Sequence, residues 1–471
     1  MEATSRSNLV FDPIYGFIKL TPTEWEIIHT PFFQRLRWIK QLGFSFYVFP
    51  GAEHSRFGHS IGAMYNAQKI LESCNIAVSD MDLMNSDIRT PDAIFHKSLR
   101  LAALMHDLGT FCFSHTTEAA FKAFASTNNS DSSRQDDHEH LGAFIIKNTN
   151  FDGGITRILE KNGFDPQVIS NLVKGVDPSI IANQILHSEI DCDRMDYLLR
   201  DSHYTGLKYG SYDRDYLLHH FQASTIGNQK ILTVKYNALH CVEDFLISRY
   251  AWYSQVIRSP RGARYDAIAE RICYYFLEKN YIYKFSDLLD MVANDPIKFY
   301  GFNDNYFINL VHHHFHSGSL DKDLDIKDMA HSLLLQKGSR LIRCNDLMPK
   351  LLNPDDSKVH DKVIKRAEAK VSEIISFLQK KGDEKDWVIS DLPKKDIIFV
   401  KSDNKIVKTS SGPNILLERD PVKISFDNGD VKLLAQVDNS IISRLKNCKN
   451  YLPNVFCSDS AYSLLEKANL L

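Results

Sequence analysis

Over much of the first 330 positions apolar residues recur at three- and four-residue spacings, the period of helices with one buried face. The stretch WEIIHTPFFQRLRWIKQLG shows it, with Gly43 as the expected stop. HSIGAMYNAQKILESC, the run from Ser98 to His106, GSYDRDYLLHHF and VEDFLISRYAWYSQVIR continue the pattern. Residues 126–137, STNNSDSSRQDD, are almost wholly polar and predict a surface loop between two helices. QKILTVKY reads as a short strand. After a charged amphipathic helix expected over 359–381, the pattern changes. DWVISDLP, KDIIFVKS, NILLERD, VKISFD and VKLLAQVD are strand-like pieces separated by Asp, Gly, Asn and Pro, and the helical period returns from Ser440. The expectation is a mainly α protein with a helical core over 1–330. A smaller C-terminal α+β lobe over 331–471 is assigned to oligomer or regulatory contacts.

Composition narrows the class. The 471 residues are 44% hydrophobic and 24% charged, as in soluble globular proteins. A net charge of −3 argues against nucleic acid as the main ligand. Apolar runs fall well short of the roughly 20 residues that cross a bilayer, and MEATSRSNLVFDP lacks the apolar core of a signal peptide. The eight cysteines form no CxxC and read as reduced thiols, so a cytoplasmic protein is expected.

The chemistry gathers around LAALMHDLGTFCFSHTTE, residues 101–118. A His-Asp pair by itself is uninformative. His360-Asp361, in PDDSKVHDKVIKR, is such a pair with no second cluster nearby. His106-Asp107 instead ends an apolar helix, at the edge of a core, and Gly109 permits a sharp turn there. His59 opens one helix and Asp193 lies in another, acid-rich one. Two imidazoles and two carboxylates suit a borderline cation such as Mn, Fe, Zn or Ni, with positions open for water and a phosphate oxygen. Taken singly, each of the four is more readily structural than ligating. Arg56, Arg194 and Arg249 could meet phosphate charge or form ordinary salt bridges.

At this point the chain resembles the HD-domain dNTP triphosphohydrolases. FDPIYGFIKL, IIHTPFFQRLRWIKQLG, FYVFPGAEHSRFGHSIG, LAALMHDLGTFCFSH, DHEH and IDCDRMDYLLRDSHYTG occur in the family's order, over about residues 8–270. The resemblance implies a helical HD-domain core and a metal held by His59, His106, Asp107 and Asp193. It implies cleavage of a deoxynucleoside triphosphate at the α-phosphorus, to deoxynucleoside and inorganic triphosphate. His115 would be the general acid. His138, favoured over His140, would form a second catalytic pair with Glu139. Arg56, Arg194 and Arg249 would neutralise the triphosphate, with Mg on its phosphates. Gln41, Leu42, Tyr197 and Asp201 would form the deoxynucleoside pocket. A homo-oligomer (dimer, tetramer or hexamer) and a nucleotide activator, read by Gln34 and Arg37, are implied as well.

The chain departs from the family at three places. Thr110 stands where relatives often have a second histidine, and threonine carries no proton at neutral pH. Ile257 replaces a base-contacting tyrosine. His29 replaces an acidic residue of the activator site, where SQVIRSPRGAR has Gln255, Ser259 and Pro260 at family positions. Arg258, Arg261 and Arg264 then form a basic patch for another activator or for a subunit interface. VHHHFHS is assigned a non-ligand role, because adjacent helical histidines fan around the axis. Two other readings stand beside this one: an HD phosphohydrolase for another nucleotide, and a nucleotide-controlled nucleic-acid-binding protein.

Overall fold

A computed structural model describes residues 8–128, 136–352, 357–392, 397–398, 412–445 and 448–471. The chain opens with a hairpin, β1 (Leu9–Asp12) and β2 (Gly16–Lys19). Its turn is closed by Asp12 Oδ1, which accepts from the backbone N–H groups of Ile14 and Tyr15, and Gly16 takes φ +73. Helical periodicity gave no sign of it. Then follow α1 (Pro22–Ile28), α2 (Pro31–Gln34), α3 (Arg56–Ser73), α4 (Asp80–Met84), α5 (Pro91–Met105), α6 (His115–Asn128), α7 (His138–Asn148), α8 (Ile155–Lys161), α9 (Pro166–Val173), α10 (Ile180–His187) and α11 (Cys192–Thr205).

The run WEIIHTPFFQRLRWIKQLG is not one helix. Pro31 favours an extended Thr30 before it, whose hydroxyl then caps α2 by accepting from Phe33 N–H. The chain continues in short 3₁₀ turns at Arg35–Trp38 and Gly43–Tyr47.

α3 lies against both α5 and α11 and is the centre of the core. A Cβ at Gly62 of α3 would sit 1.9 Å from Asp196 Oδ1, so only glycine lets α11 come this close. The core continues through α12 (Arg214–His220), the hairpin β3 (Phe221–Ile226) and β4 (Gln229–Lys235), then α13 (Leu239–Trp252), α14 (Pro260–Glu278), α15 (Phe285–Asn294), α16 (Pro296–Tyr300), α17 (Asp304–His316) and α18 (Leu324–Leu335). α13 ends in a π-helical turn, Tyr253–Ile257, a distortion common near functional sites.

A second core forms beyond residue 340. α19 (Ser357–Lys381) places Ala367, Val371, Ile374 and Leu378 on one buried stripe, at the 3.6-residue period. They pack with Ile342, Val455, Cys457 and Leu465. Two antiparallel three-stranded sheets lie here. One joins β5 (Ser339–Leu341), β7 (Val388–Asp391) and β12 (Asn454–Ser458). The other joins β6 (Lys350–Leu352), β8 (Ile397–Ile398) and β11 (Lys449–Tyr451). β9 (Lys423–Ser425) and β10 (Val431–Leu433) return to the first core, where β9 runs parallel to β4 with Val234 opposite Ile424.

NILLERD is not a strand. It enters a 3₁₀ turn, Gly412–Leu417, where Pro413 lacks the N–H that a ladder needs. VKLLAQVD turns at Leu434–Gln436 after a three-residue strand. The tail from Ser440 is not continuously helical, because β11 and β12 precede its last helix, Asp459–Lys467. Residues 129–135 of the expected polar loop, most of KDIIFVKS, and the His360 side chain lie outside the described residues.

Candidate metal centre and adjoining cavities

His59 is the fourth residue of α3 and fully buried, His106 caps the C-terminus of α5, and Asp193 is in the first turn of α11. His59 Nδ1 donates to Asp196 Oδ2 at 2.7 Å, and His106 Nδ1 donates to the Ala103 carbonyl at 2.7 Å. In rings neutral enough to bind a metal, these acceptors would hold the proton on Nδ1 and leave each Nε2 with a lone pair. Both Nε2 atoms are buried and have no hydrogen-bond partner. They face the same two carboxylates. His59 Nε2 is 2.9 Å from Asp193 Oδ1 and 3.8 Å from Asp107 Oδ2; His106 Nε2 is 3.7 Å from Asp107 Oδ2 and 3.8 Å from Asp193 Oδ1. Donor atoms at these separations fit around one cation with bonds of about 2.0–2.2 Å. His59, His106 and Asp193 thus fit a divalent transition metal, with Asp107 beside them at 3.7–3.8 Å from both imidazoles and engaged by Arg56.

Charge supports the same arrangement. Burial pushes the His59 pKa down, but the facing carboxylates of Asp193 and Asp196 carry it up to about 10. Burial pushes Asp107 up, yet Arg56, His106 and His59 hold it well below the ordinary carboxylate range. Arg56 Nη1 donates to Asp107 Oδ2 at 2.8 Å, and the Thr110 hydroxyl donates to Asp107 Oδ1 at 3.3 Å. Thr110 therefore orients the Asp107 carboxylate. Asp196, three residues after Asp193 on α11, was not singled out in the sequence. It also accepts from Arg200 Nε at 2.8 Å, and Arg200 reaches Asp12 of β1 at 2.9 Å.

Gly109 lies in the expected turn, which Thr110 N–H closes by donating to the Asp107 carbonyl at 3.0 Å, without a positive φ. A Cβ there would lie 2.1 Å from the His138 carbonyl oxygen and 2.3 Å from Gly142 N. Glycine lets α7 settle on the chain just after the His-Asp pair, which brings His138 to the site. Two consecutive non-glycine residues, Phe113 (φ +51) and Ser114 (φ +58), occupy the left-handed region immediately before His115. Asp304 of α17 holds that strained turn by accepting from Phe113 N–H at 2.5 Å, and Ser114 Oγ donates to the Lys40 carbonyl at 2.7 Å.

His115 and His138 meet on one carboxylate. Glu118 Oε2 accepts from His115 Nδ1 at 2.7 Å, and Oε1 accepts from His138 Nδ1 at 2.8 Å. The expected partner of His138, Glu139, lines the same cavity, but Glu118 makes the hydrogen bond. Its position, one turn beyond His115 on α6, was the available sequence signal. His140 turns away and packs edge-on against Phe285.

Two cavities adjoin. One, of about 310 Å³, is lined by His106, Asp193, Arg194, His138 and Glu139, together with Lys174, His187 and Arg419. The other, of about 220 Å³, is lined by Gln41, Leu42, His115, Tyr253, Ile257 and Asp266. Ser114 also lines the second cavity, and Arg56, which binds Asp107, donates to its hydroxyl at 2.9 Å. Asp201 Oδ1 accepts from His54 Nε2 at 2.7 Å, and Gln41 N–H donates to the His54 carbonyl at 3.0 Å. Asp201 Oδ2 and Gln41 Oε1 remain buried without a partner. Tyr197 packs on Trp252, centroids 4.8 Å apart. Arg194 pairs with Asp191, while Arg249 donates to the Glu189 carbonyl at 3.2 Å and lies 3.9 Å from its carboxylate.

Gln34 and Arg37 line neither cavity. Arg37 Nε donates to Gln34 Oε1 at 2.9 Å, and its guanidinium stacks on Phe57 at 3.5 Å. The expected basic patch is largely engaged within the chain. Arg258 makes a two-pronged pair with Asp391, at 2.9 and 2.7 Å, and donates to the Leu452 carbonyl. Arg264 donates to the Ser339 carbonyl. These contacts join the two cores.

Residues 56–201, from Arg56 to Asp201, match the family model of the HD domain. They contain all four proposed metal ligands, so the match to the HD domain covers the candidate metal site. Among relatives it is 32% identical to the uncharacterized protein MJ1154 of Methanocaldococcus jannaschii, over 64% of this chain and 57% of that one. It is 31% identical to the uncharacterized protein YwfO of Bacillus subtilis, over 57% and 56%. With the human deoxynucleoside triphosphate triphosphohydrolase SAMHD1 it shares 31% identity over 42% of this chain and 34% of that one. The matches thus span little more than half the length of the first two relatives. In fold it is similar to a phosphohydrolase from Bacteroides thetaiotaomicron (TM-score 0.64, 18% identity, 96% of this chain and 100% of that one). No helix among the described residues is long and apolar enough to cross a membrane.

Proposed function

We propose that this protein hydrolyses deoxynucleoside triphosphates at the α-phosphorus, giving deoxynucleoside and inorganic triphosphate. The observation that carries the reading is the donor set of His59, His106, Asp107 and Asp193, with two inward-facing, unpartnered imidazole nitrogens beside the His115–Glu118–His138 cluster. Similarity to a dNTP triphosphohydrolase supports the choice of substrate. So do the buried acceptors Gln41 Oε1 and Asp201 Oδ2, which suit the donor of a sugar hydroxyl.

A divalent cation at the four ligands (Mn, Fe, Zn or Ni) supplies Lewis acidity toward a phosphate and lowers the pKa of a water. Asp196 and the Ala103 carbonyl fix the tautomers of the two histidine ligands. His115, its Nδ1–H held by Glu118, presents Nε2 to the leaving group. As the water oxygen bonds to the α-phosphorus, the bond from phosphorus to the 5′ oxygen breaks, and the His115 Nε2 proton passes to that oxygen. Glu118 anchors the ring, and His138, on its other oxygen, orients or relays protons. Arg56, Arg194 and Arg249 bear the charge of the phosphates, with Mg. Tyr197 and Leu42 pack the sugar, and Ile257 borders the base.

Incubating the protein with each dNTP, singly and in pairs, with Mn or Mg, tests this. Intact triphosphate is the expected product, and stimulation in a pair would reveal the nucleotide activator assigned to Gln34 and Arg37. Release of only orthophosphate or pyrophosphate refutes the reaction. Faster turnover of ribonucleotides or cyclic nucleotides than of dNTPs refutes the substrate.

A further inference from the structure

The cavity beside the metal ligands carries two cations that neither the sequence nor the resemblance singled out, Lys174 and Arg419. The three arginines assigned to the phosphates are already opposed by acids: Arg56 by Asp107, Arg194 by Asp191 and Arg249 by Glu189. Their charge is therefore partly cancelled before any ligand arrives. Lys174 has no ion pair among the described residues. Arg419 pairs through Nε with Asp420, its exposed neighbour, where water screens the attraction.

Arg419 comes from the C-terminal part of the chain, and its backbone is fixed on both sides. Gln184 Nε2 donates to the Glu418 carbonyl at 3.0 Å, and Glu189 N–H donates to the Asp420 carbonyl at 3.1 Å. The buried Lys423 ties Glu418 and Pro421 together, and β9 then joins β4. Gly175 makes room for the side chain. It takes φ +66 after Lys174, and a Cβ there would lie 2.7 Å from Arg419 Nη1 and 2.8 Å from His187 Cδ2. The guanidinium is seated over the end of α9, beside Lys174.

We propose that Lys174 and Arg419 bind the distal phosphates of a polyphosphate whose reacting end lies at the metal ligands, so that the C-terminal lobe supplies part of the substrate site. The identity of that polyphosphate rests on the dNTP reading above; the anion site does not. Titration of the purified full chain with inorganic tripolyphosphate and with orthophosphate tests it. The wild-type protein should prefer tripolyphosphate. Arg419→Gln and Lys174→Gln should each weaken tripolyphosphate about tenfold, one charge-assisted contact being of that order. Arg419→Lys should lose less, and deoxynucleoside affinity should stay constant. Equal tripolyphosphate affinity in wild type and both Gln variants, each with an unchanged melting temperature, overturns the proposal, as does a wild type without the preference. Loss of tripolyphosphate affinity in Arg419→Gln, with no dNTP turnover in the wild type, would keep the anion site and remove the dNTP reading. dNTP turnover with an unchanged KM in Arg419→Gln would do the reverse.

Discussion

His59 and Asp196 share a buried 2.7 Å hydrogen bond that reaches from the first turn of α3 to α11. The acceptor holds the histidine proton on Nδ1 and so turns the Nε2 lone pair toward Asp193 and Asp107. Asp196 is itself locked by Arg200.

Asp196→Asn should therefore weaken metal binding by about 10–100-fold, the usual consequence of losing such a support. Metal content after dialysis, measured beside a Tm, checks it. Full metal retention in a well-folded variant would show that the ring needs no such anchor.

Replacing a ligand has a harsher expected outcome. His106→Ala and Asp193→Asn should each lower kcat by at least about 10³-fold, the loss of a preorganised electrostatic contribution of about 4 kcal/mol. Far-UV circular dichroism should be preserved, because His106 and Asp193 are only partly buried. Retained turnover in either variant removes it from the metal site.

Glu118 sets a pH signature. Burial opposes ionisation of both partners, but the bonds of Glu118 to His115 and His138 hold its carboxyl below the ordinary range, while Glu118 raises His138 above the ordinary imidazole range. The depressed acid stabilises the fold above its unfolded value of about 4.3, and that stability is lost as pH falls through the folded pKa. The raised histidine stabilises below about 6.5, and its share is lost as pH rises through its own folded pKa. Glu118→Gln should thus lower Tm most between about pH 4.5 and 6.5, with a shrinking difference at alkaline pH. A difference that stays constant from acid to alkali contradicts the ion pair.

Gly109→Ala tests how α7 reaches the site. The methyl group would meet backbone at 2.1 Å, which no rotamer can relieve. We expect a loss of about 1–3 kcal/mol or more in chemical denaturation and a fall in kcat from displacement of His138. A neutral substitution would mean that α7 can withdraw without consequence.

Asp201→Ala should raise KM for dNTPs and leave tripolyphosphate affinity unchanged, since it removes an acceptor near Gln41 and no phosphate contact. An effect on tripolyphosphate alone would misplace the sugar.

The helical first core was legible because long amphipathic repeats bury one face of each helix. The C-terminal strands were only partly so: segments of three to five residues carry little periodicity, and Pro413 or the turn after Leu433 decides their shape locally. The His59, His106, Asp107 and Asp193 set was readable as motif text. Glu118, Asp196 and His54 were not, since each acts through a partner brought close by packing. Gly109 read only as a turn residue, and Gly62 carried no signal. Their importance lies in interhelical distances that no single segment encodes. The arginines near residue 260 read as a surface patch because the Asp391 that engages Arg258 lies far along the chain.

The parallel pairing of β9 with β4 joins residues 190 positions apart, as Val234 and Ile424 are. A closure of that span is among the slower contacts a chain can make. During synthesis, the helices that carry the candidate metal ligands can pack long before residues 418–425 emerge. The nascent protein would then pass through a stage in which the candidate metal centre is assembled while one wall of the adjoining cavity is still missing.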